Sequence, residues 1–128
     1  MPIYNDNRLL LGKAEYRSLI AQIFAKYSEA SVDNVDVIAG TATAGIPHAT
    51  TLADRLSKPL IYVRATTKSH GMGNQIEGPL VPGQKVLLIE DLISTGGSAI
   101  NAVNAIREVG GIVEHCFCIF TSGFFDYR

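Results

Sequence analysis

Apolar positions along this chain recur in two periods, and the switches between them predict its elements. Between residues 14 and about 27, Leu19, Ile20, Ile23, Phe24 and Tyr27 fall at helical spacing and predict one amphipathic helix. Residues 28–34 read as a polar link. Val35-Asp36-Val37-Ile38-Ala39 then reads as a short strand ending at Gly40. The small residues Thr41-Ala42-Thr43-Ala44-Gly45 turn into a helix that runs to about Leu56, with Pro47 tolerable in its first turn. A second strand is predicted over 59–64. Residues 65–82 hold Gly71, Gly73 and Gly78 and read as a connection without regular structure, long enough to suggest a functional loop. A third strand over 85–89, a helix from about 98 to 109 stopped by Gly110-Gly111, and a fourth strand over 112–121 complete the pattern. Strands alternating with helices predict an α/β fold, a parallel sheet flanked by helices.

Composition narrows the classes. A chain of 128 residues with 47% apolar and 18% charged positions is neither disordered nor membrane-spanning, and it fits one domain. Its apolar runs are far shorter than the roughly 20 residues of a transmembrane helix. Met1-Pro2-Ile3-Tyr4-Asn5-Asp6 has neither the basic start nor the apolar stretch of a signal peptide, so a cytoplasmic location is expected. Eleven basic against twelve acidic residues leave a net charge of -1, and Lys13, Arg17, Lys26 and Lys58 are too scattered to form a nucleic-acid face. Cys116 and Cys118 alternate with Phe117 and Ile119 on a predicted strand, which favours core packing over a metal or redox pair. His48, within a helix, and His115, on a strand, read as structural.

Chemistry concentrates where strands run into loops, because open parallel sheets bind ligands outside the carboxyl ends of their strands. Residues 40–45 leave the first strand with the G-x-x-x-x-G frame of a P-loop, but Ile46-Pro47 stands where Lys-Ser/Thr is needed, so an ATPase reading fails. No G-x-G-x-x-G supports dinucleotide binding. Taken alone, this loop is equally a tight turn into a helix. Arg64 leaves the second strand, followed by Lys68 and His70. All three can donate to a polyphosphate, against the plainer reading of a solvated loop.

The third strand carries the sharpest signal. Four apolar residues, Val86-Leu87-Leu88-Ile89, run into Glu90-Asp91 and then Leu92-Ile93-Ser94-Thr95-Gly96-Gly97-Ser98. A helix N-cap explains the hydroxyls, but not two consecutive acids at the end of an apolar strand. Such a carboxylate costs solvation unless something binds it. Carboxylates suit sugar hydroxyls, and backbone N–H groups at a helix start suit a phosphate dianion. A phosphorylated sugar is the natural combined ligand.

Residues 90–98 resemble the phosphoribosyl-pyrophosphate loop of type I phosphoribosyltransferases, and more narrowly that of orotate phosphoribosyltransferases. Residues 37–48, Tyr62-Val63-Arg64, residues 70–78 and the opening residues 2–8 carry the same resemblance, which covers nearly the whole chain. It implies that Glu90 and Asp91 hold the ribose 2′ and 3′ hydroxyls and that residues 94–98, with Leu92 and Ile93 leading in, cradle the 5′-phosphate. Thr41, Ala42, Thr43, Ala44 and Gly45 would face pyrophosphate, and Ser94 would also touch the pyrimidine base. Arg64, Lys68 and His70 would offset leaving-group charge, with Lys68, His70 and Asp91 as the catalytic set.

The implied reaction is displacement of pyrophosphate from 5-phosphoribosyl 1-diphosphate by orotate, giving orotidine 5′-monophosphate. Mg2+ would be carried by the diphosphate near Glu90 and Asp91, with no direct protein ligand. A homodimer sharing loop 65–78 between subunits is also implied. Two departures accompany the resemblance. Ala65-Thr66-Thr67 leaves Lys68 as the sole loop lysine, and family members extend further at both ends, with an N-terminal hood over the base and a C-terminal strand and helix. Alternatives are transfer to another base, or a phosphoribosyl-pyrophosphate sensor without catalysis.

Overall fold

The computed structural model describes residues 7–31, 34–65, 75–93 and 97–121. After a short 3-10 helix (Asn7–Gly12), α1 (Ala14–Ser31) leads to β1 (Val37–Thr41), α2 (Gly45–Leu56), β2 (Leu60–Val63), β3 (Ile76–Glu77), β4 (Lys85–Ile93), α3 (Gly97–Glu108) and β5 (Ile112–Thr121). Among the described residues these strands form one sheet in the order β3-β2-β1-β4-β5. The pairs β1–β2, β1–β4 and β4–β5 are parallel, and β3 is antiparallel to β2. The expected α/β sheet with flanking helices is present.

Period-two alternation in the strands sorts the core into two layers. Val37, Ala39, Ile61, Val63, Val86, Leu88 and Val113 face α3, which supplies Ala102, Val103, Ala105 and Ile106. Ile38, Leu87 and Ile89 face the other way, beneath Ala49, Leu52 and Ala53 of α2 and Phe24 and Ala25 of α1. β1 and β4 are buried on both faces, which is why they read as near-continuous apolar runs. Cys116 packs against the α3-side layer while Phe117 and Ile119 pack on the other, so the expected alternation holds. Burial, then the negative Glu90, pushes the Cys116 thiol far above its usual range. Among the described residues no group of three or more His, Cys, Asp and Glu is placed to hold a metal ion, and no helix is long and apolar enough to cross a membrane.

Several element boundaries differ from the sequence expectation. α1 continues through Ser31, because Ser28 turns inward and is buried, so the expected polar link is mostly helix. β1 begins two residues late and passes through Gly40, which pairs with Tyr62 and Ile89. Gly40 does not end the strand; it makes room for α2, since a Cβ there would lie 2.8 Å from the Ala49 Cβ. β4 extends beyond Ile89 to Ile93 because β5 keeps pairing alongside it, with Glu90 opposite Cys118. The segment expected to lack regular structure contains β3, where Glu77 pairs with Tyr62. The α3 stop is as expected. Gly110 takes φ +94, its N–H donates to the Arg107 carbonyl at 3.0 Å, and the Gly111 N–H donates to the Ile106 carbonyl at 3.0 Å.

Leu88 is fully buried at the centre of the α3-side layer. Leu88→Ala is expected to lower unfolding stability by about 2–5 kcal/mol, read as a fall in denaturant midpoint at unchanged m-value.

Candidate functional site

The strand order reverses direction between β1 and β4. From β1 the chain crosses through α2 to β2 on one side, and from β4 through α3 to β5 on the other. The two helices lie on opposite faces, so their N-termini, at Gly45 and Gly97, open onto the same crevice outside the carboxyl ends of β1 and β4. This is the topological switch point at which open α/β sheets bind ligands. A helix N-terminus turns its positive dipole end toward an anion at such a place.

A buried carboxylate joins the elements at this point. Glu90 continues the β4 row of Val86 and Leu88 toward α3 and is only 5% exposed. Its Oε1 accepts from Thr41 Oγ1 at 2.6 Å and from the Asp91 backbone N–H at 3.2 Å. Its Oε2 accepts from Ser98 Oγ at 3.2 Å. The end of β1, the end of β4 and the start of α3 thus meet on one side chain. Gly45 admits this packing, because a Cβ there would lie 2.6 Å from Thr41 Oγ1 and 2.7 Å from the Ile89 carbonyl oxygen. The Ala42–Thr43 peptide beside it is cis.

A cleft of about 290 Å³ adjoins this cluster, lined by Thr41 at the end of β1 and Ala42 after it, Arg64 and Ala65 after β2, and Gly97, Ser98 and Asn101 from α3. Arg64 Nε donates to Glu77 Oε1 at 2.9 Å, so β3 holds the guanidinium at the cleft wall. The residues flanking 66–74 are bound to one another. The Arg64 N–H donates to the Gln75 carbonyl at 2.7 Å and Gln75 Nε2 donates to the Arg64 carbonyl at 3.2 Å. Asn101 Nδ2 adds a bond from α3 to the Ala65 carbonyl at 3.1 Å.

The electrostatics differ across the sheet. Burial, reinforced by the neighbouring Asp91, raises the Glu90 pKa, while the Thr41 hydroxyl pulls it down. Asp91 is half-buried, and its charge reaches His48 on α2. His48 is 2% exposed, and its Nδ1 has no hydrogen-bond partner among the described residues. Burial lowers its pKa, and Asp91 opposes that shift.

Of the residues singled out from sequence, Thr41, Ala42, Arg64, Gly97 and Ser98 converge on the cleft, with Glu90 bonded to two of them. Thr43 and Ala44 are exposed in the turn and Gly45 is buried beneath it. Leu92 and Ile93 lie in β4 rather than in a loop. Lys68, His70, Ser94, Thr95 and Gly96 lie outside the described residues. Sequence reasoning counted Gln75 and Glu77 only within the 70–78 resemblance, with no role of their own, and passed over Asn101, because a polar residue on a short strand or a helix carries no periodic signal. It read His48 as structural; its burial agrees, and its electrostatic link to Asp91 is added by the fold.

The family model described as the phosphoribosyl transferase domain matches residues 9–123. An orotate phosphoribosyltransferase from Listeria innocua is 56% identical over 122 residues, covering 95% of this chain and 58% of the relative. One from Coxiella burnetii is 52% identical over 120 residues, covering 94% of this chain and 57% of the relative. The crystal structure of orotate phosphoribosyltransferase from Aeropyrum pernix superposes with a TM-score of 0.83 at 33% identity, covering 94% of this chain and 67% of that one. The chain therefore spans less than two thirds of the length of the curated relatives it matches.

His48 supplies a pH test of the site's packing. Its folded pKa lies below the ordinary 6.5, so the fold favours the neutral ring. The resulting stabilisation is complete above 6.5 and is lost as pH falls through the depressed folded value. His48→Gln is expected to remove this part of the acid-side decline in unfolding free energy. An NMR titration that places the His48 ring at or above 6.5 would contradict it.

Proposed function

This chain belongs to the phosphoribosyltransferase family, and on that premise we propose that it forms the phosphoribosyl-pyrophosphate-binding core of an orotate phosphoribosyltransferase. The reaction would transfer the phosphoribosyl group from 5-phosphoribosyl 1-diphosphate to orotate, giving orotidine 5′-monophosphate and diphosphate, a step of pyrimidine synthesis. The single observation that carries this reading is the Thr41–Glu90–Ser98 cluster at the switch point, with two helix N-termini opening beside it.

In this proposal Glu90 and Asp91 take the ribose hydroxyls. The start of α3 takes the 5′-phosphate through backbone N–H groups, a contact worth roughly 0.3–2 kcal/mol per favourable charge at a helix terminus. The β1–α2 turn faces the diphosphate. As the glycosidic bond breaks, positive charge grows on the ribose ring and negative charge on the leaving group. Carboxylates beside the sugar, with Arg64 near the diphosphate, match both. Arg64 is suited to this because Glu77 fixes its guanidinium, leaving its remaining N–H groups as directed donors. Lys68 and His70 belong to the same proposal as further donors to the leaving group, and Ser94 as a contact to the base.

Carboxylate oxygens suit a hard cation such as Mg2+, and no group of three ligating side chains is present among the described residues. In the proposal a magnesium ion would arrive with the diphosphate, near Glu90 and Asp91, and would offset its charge. A homodimer in which loop 65–78 serves the neighbouring subunit belongs to the proposal. So does a cytoplasmic setting, which suits the two free cysteines.

Orotate consumption with phosphoribosyl pyrophosphate and magnesium, measured beside calorimetric titration of phosphoribosyl pyrophosphate alone, tests the reading. Orotate-dependent turnover is expected; tight binding without it would favour a phosphoribosyl-pyrophosphate-binding homologue instead, and turnover with another base would move the specificity. Asp91→Asn is expected to weaken phosphoribosyl-pyrophosphate binding by about tenfold to a hundredfold while leaving the unfolding midpoint nearly unchanged. Lys68→Ala is expected to lower kcat with little change in binding. Equal losses of folding stability in both variants would contradict these roles.

A further inference from the structure

We infer that Thr41 is a positioning residue, whose hydroxyl fixes the rotation of the Glu90 carboxylate so that one oxygen is consumed inside the protein and the other faces the start of α3. The inference rests on the sugar-phosphate reading of the crevice and assigns Thr41 a task distinct from facing pyrophosphate.

Thr41 is 3% exposed and stands at the cleft wall, with its hydroxyl turned inward to Glu90. A threonine hydroxyl has one proton to donate. At 2.6 Å from Glu90 Oε1, against 3.5 Å from the Ile89 carbonyl, that proton is committed to the carboxylate. The Asp91 backbone N–H reaches the same oxygen at 3.2 Å. Oε1 thus has two donors from β1 and β4, the two central strands. Oε2 accepts from Ser98 Oγ at 3.2 Å, a longer bond from an exposed residue beside the cleft.

The two oxygens are therefore unequal: Oε1 takes the short bond from β1, and Oε2 is the one turned to Ser98 at the cleft edge. A carboxylate held by one short bond and a backbone amide cannot swing its second oxygen away without breaking both. The local sequence serves this placement. Gly45 leaves the space that the Thr41 hydroxyl occupies, since a Cβ there would sit 2.6 Å from Oγ1. Thr41 is also the last residue of β1, paired with Val63, so its backbone is fixed by the sheet.

The test is calorimetric binding of phosphoribosyl pyrophosphate, with magnesium, to the parent chain and to Thr41→Val, Thr41→Ser, Glu90→Gln and the Thr41→Val/Glu90→Gln pair. Valine keeps the shape and β-branching and removes the donor; serine keeps the donor. Thr41→Val is expected to raise Kd about tenfold, Thr41→Ser to return it to within about twofold of the parent, and Thr41→Val to add little once Glu90 is Gln. Where turnover is measured, the loss is expected in KM for phosphoribosyl pyrophosphate more than in kcat. Unchanged Kd in Thr41→Val, a serine variant as impaired as valine, or an undiminished effect in the Glu90→Gln background would each overturn the positioning role while leaving the proposed function intact. A parent chain that does not bind phosphoribosyl pyrophosphate would overturn both. Thr41→Ala, carried through the same cycle, replaces valine if that variant does not fold.

Discussion

A carboxylate withdrawn from water at the end of a buried strand must be surrounded by donors, or the strand cannot end there in that form. Glu90 sets this constraint, and much of the geometry at the crevice follows from it. Its donors come from β1, from the backbone of β4 and from α3, so the three elements that frame the crevice are held in register by one side chain. Each donor is brought close by a local choice of residue. Gly40 lets α2 cross near β1, Gly45 lets that helix begin against the Thr41 hydroxyl, and α3 begins one residue before Ser98. A larger residue at either glycine would push α2 off the sheet and open the gap that Thr41 fills.

A second set of polar contacts lies on the β2 side of the cleft. Arg64 is fixed by Glu77, and the carbonyls of Arg64 and Ala65 accept from Gln75 and Asn101. Asn101 stands one turn along the helix that begins at Gly97. The elements presenting Ser98 and those presenting Arg64 are thereby joined through α3. A ligand spanning the cleft would meet donors whose separation is set by one rigid helix rather than by independent loops, which lowers the ordering cost of binding.

The layers were legible in the sequence because both depend on periodicity. The runs at 35–39 and 85–89 announced buried strands, and Leu19, Ile20, Ile23 and Phe24 announced α1. The boundaries depend on neighbours that a single strand cannot reveal. Gly40 reads locally as a stop, yet it pairs on both sides, and its lack of a side chain matters only because Ala49 crosses above it. Residues 76–77 are too short for a pattern of their own, and they become a strand by pairing with β2. At the site, the paired acids and the small-residue turn were visible as chemistry before any fold was known. Asn101, Gln75 and Glu77 were not, because their roles are distances, and distance is a property of the folded chain.

The two adjacent acids also show how one strand end can hold two different carboxylates. Successive residues in a strand project toward opposite faces. Glu90 therefore follows the row that leads to α3, Thr41 and Ser98, whereas the charge of Asp91 reaches His48 on α2 while its side chain also meets the Glu90 carboxyl. Glu90 is buried and held by one short and two longer internal bonds; Asp91 keeps more contact with solvent. A fixed, partly saturated carboxylate defines direction but has little capacity left to adapt. Under the proposed function, a more open one can respond as the bonding electrons leave the ring carbon for the diphosphate. On the proposed function the pair divides orientation from charge response, while the two carboxyls stay in contact with each other.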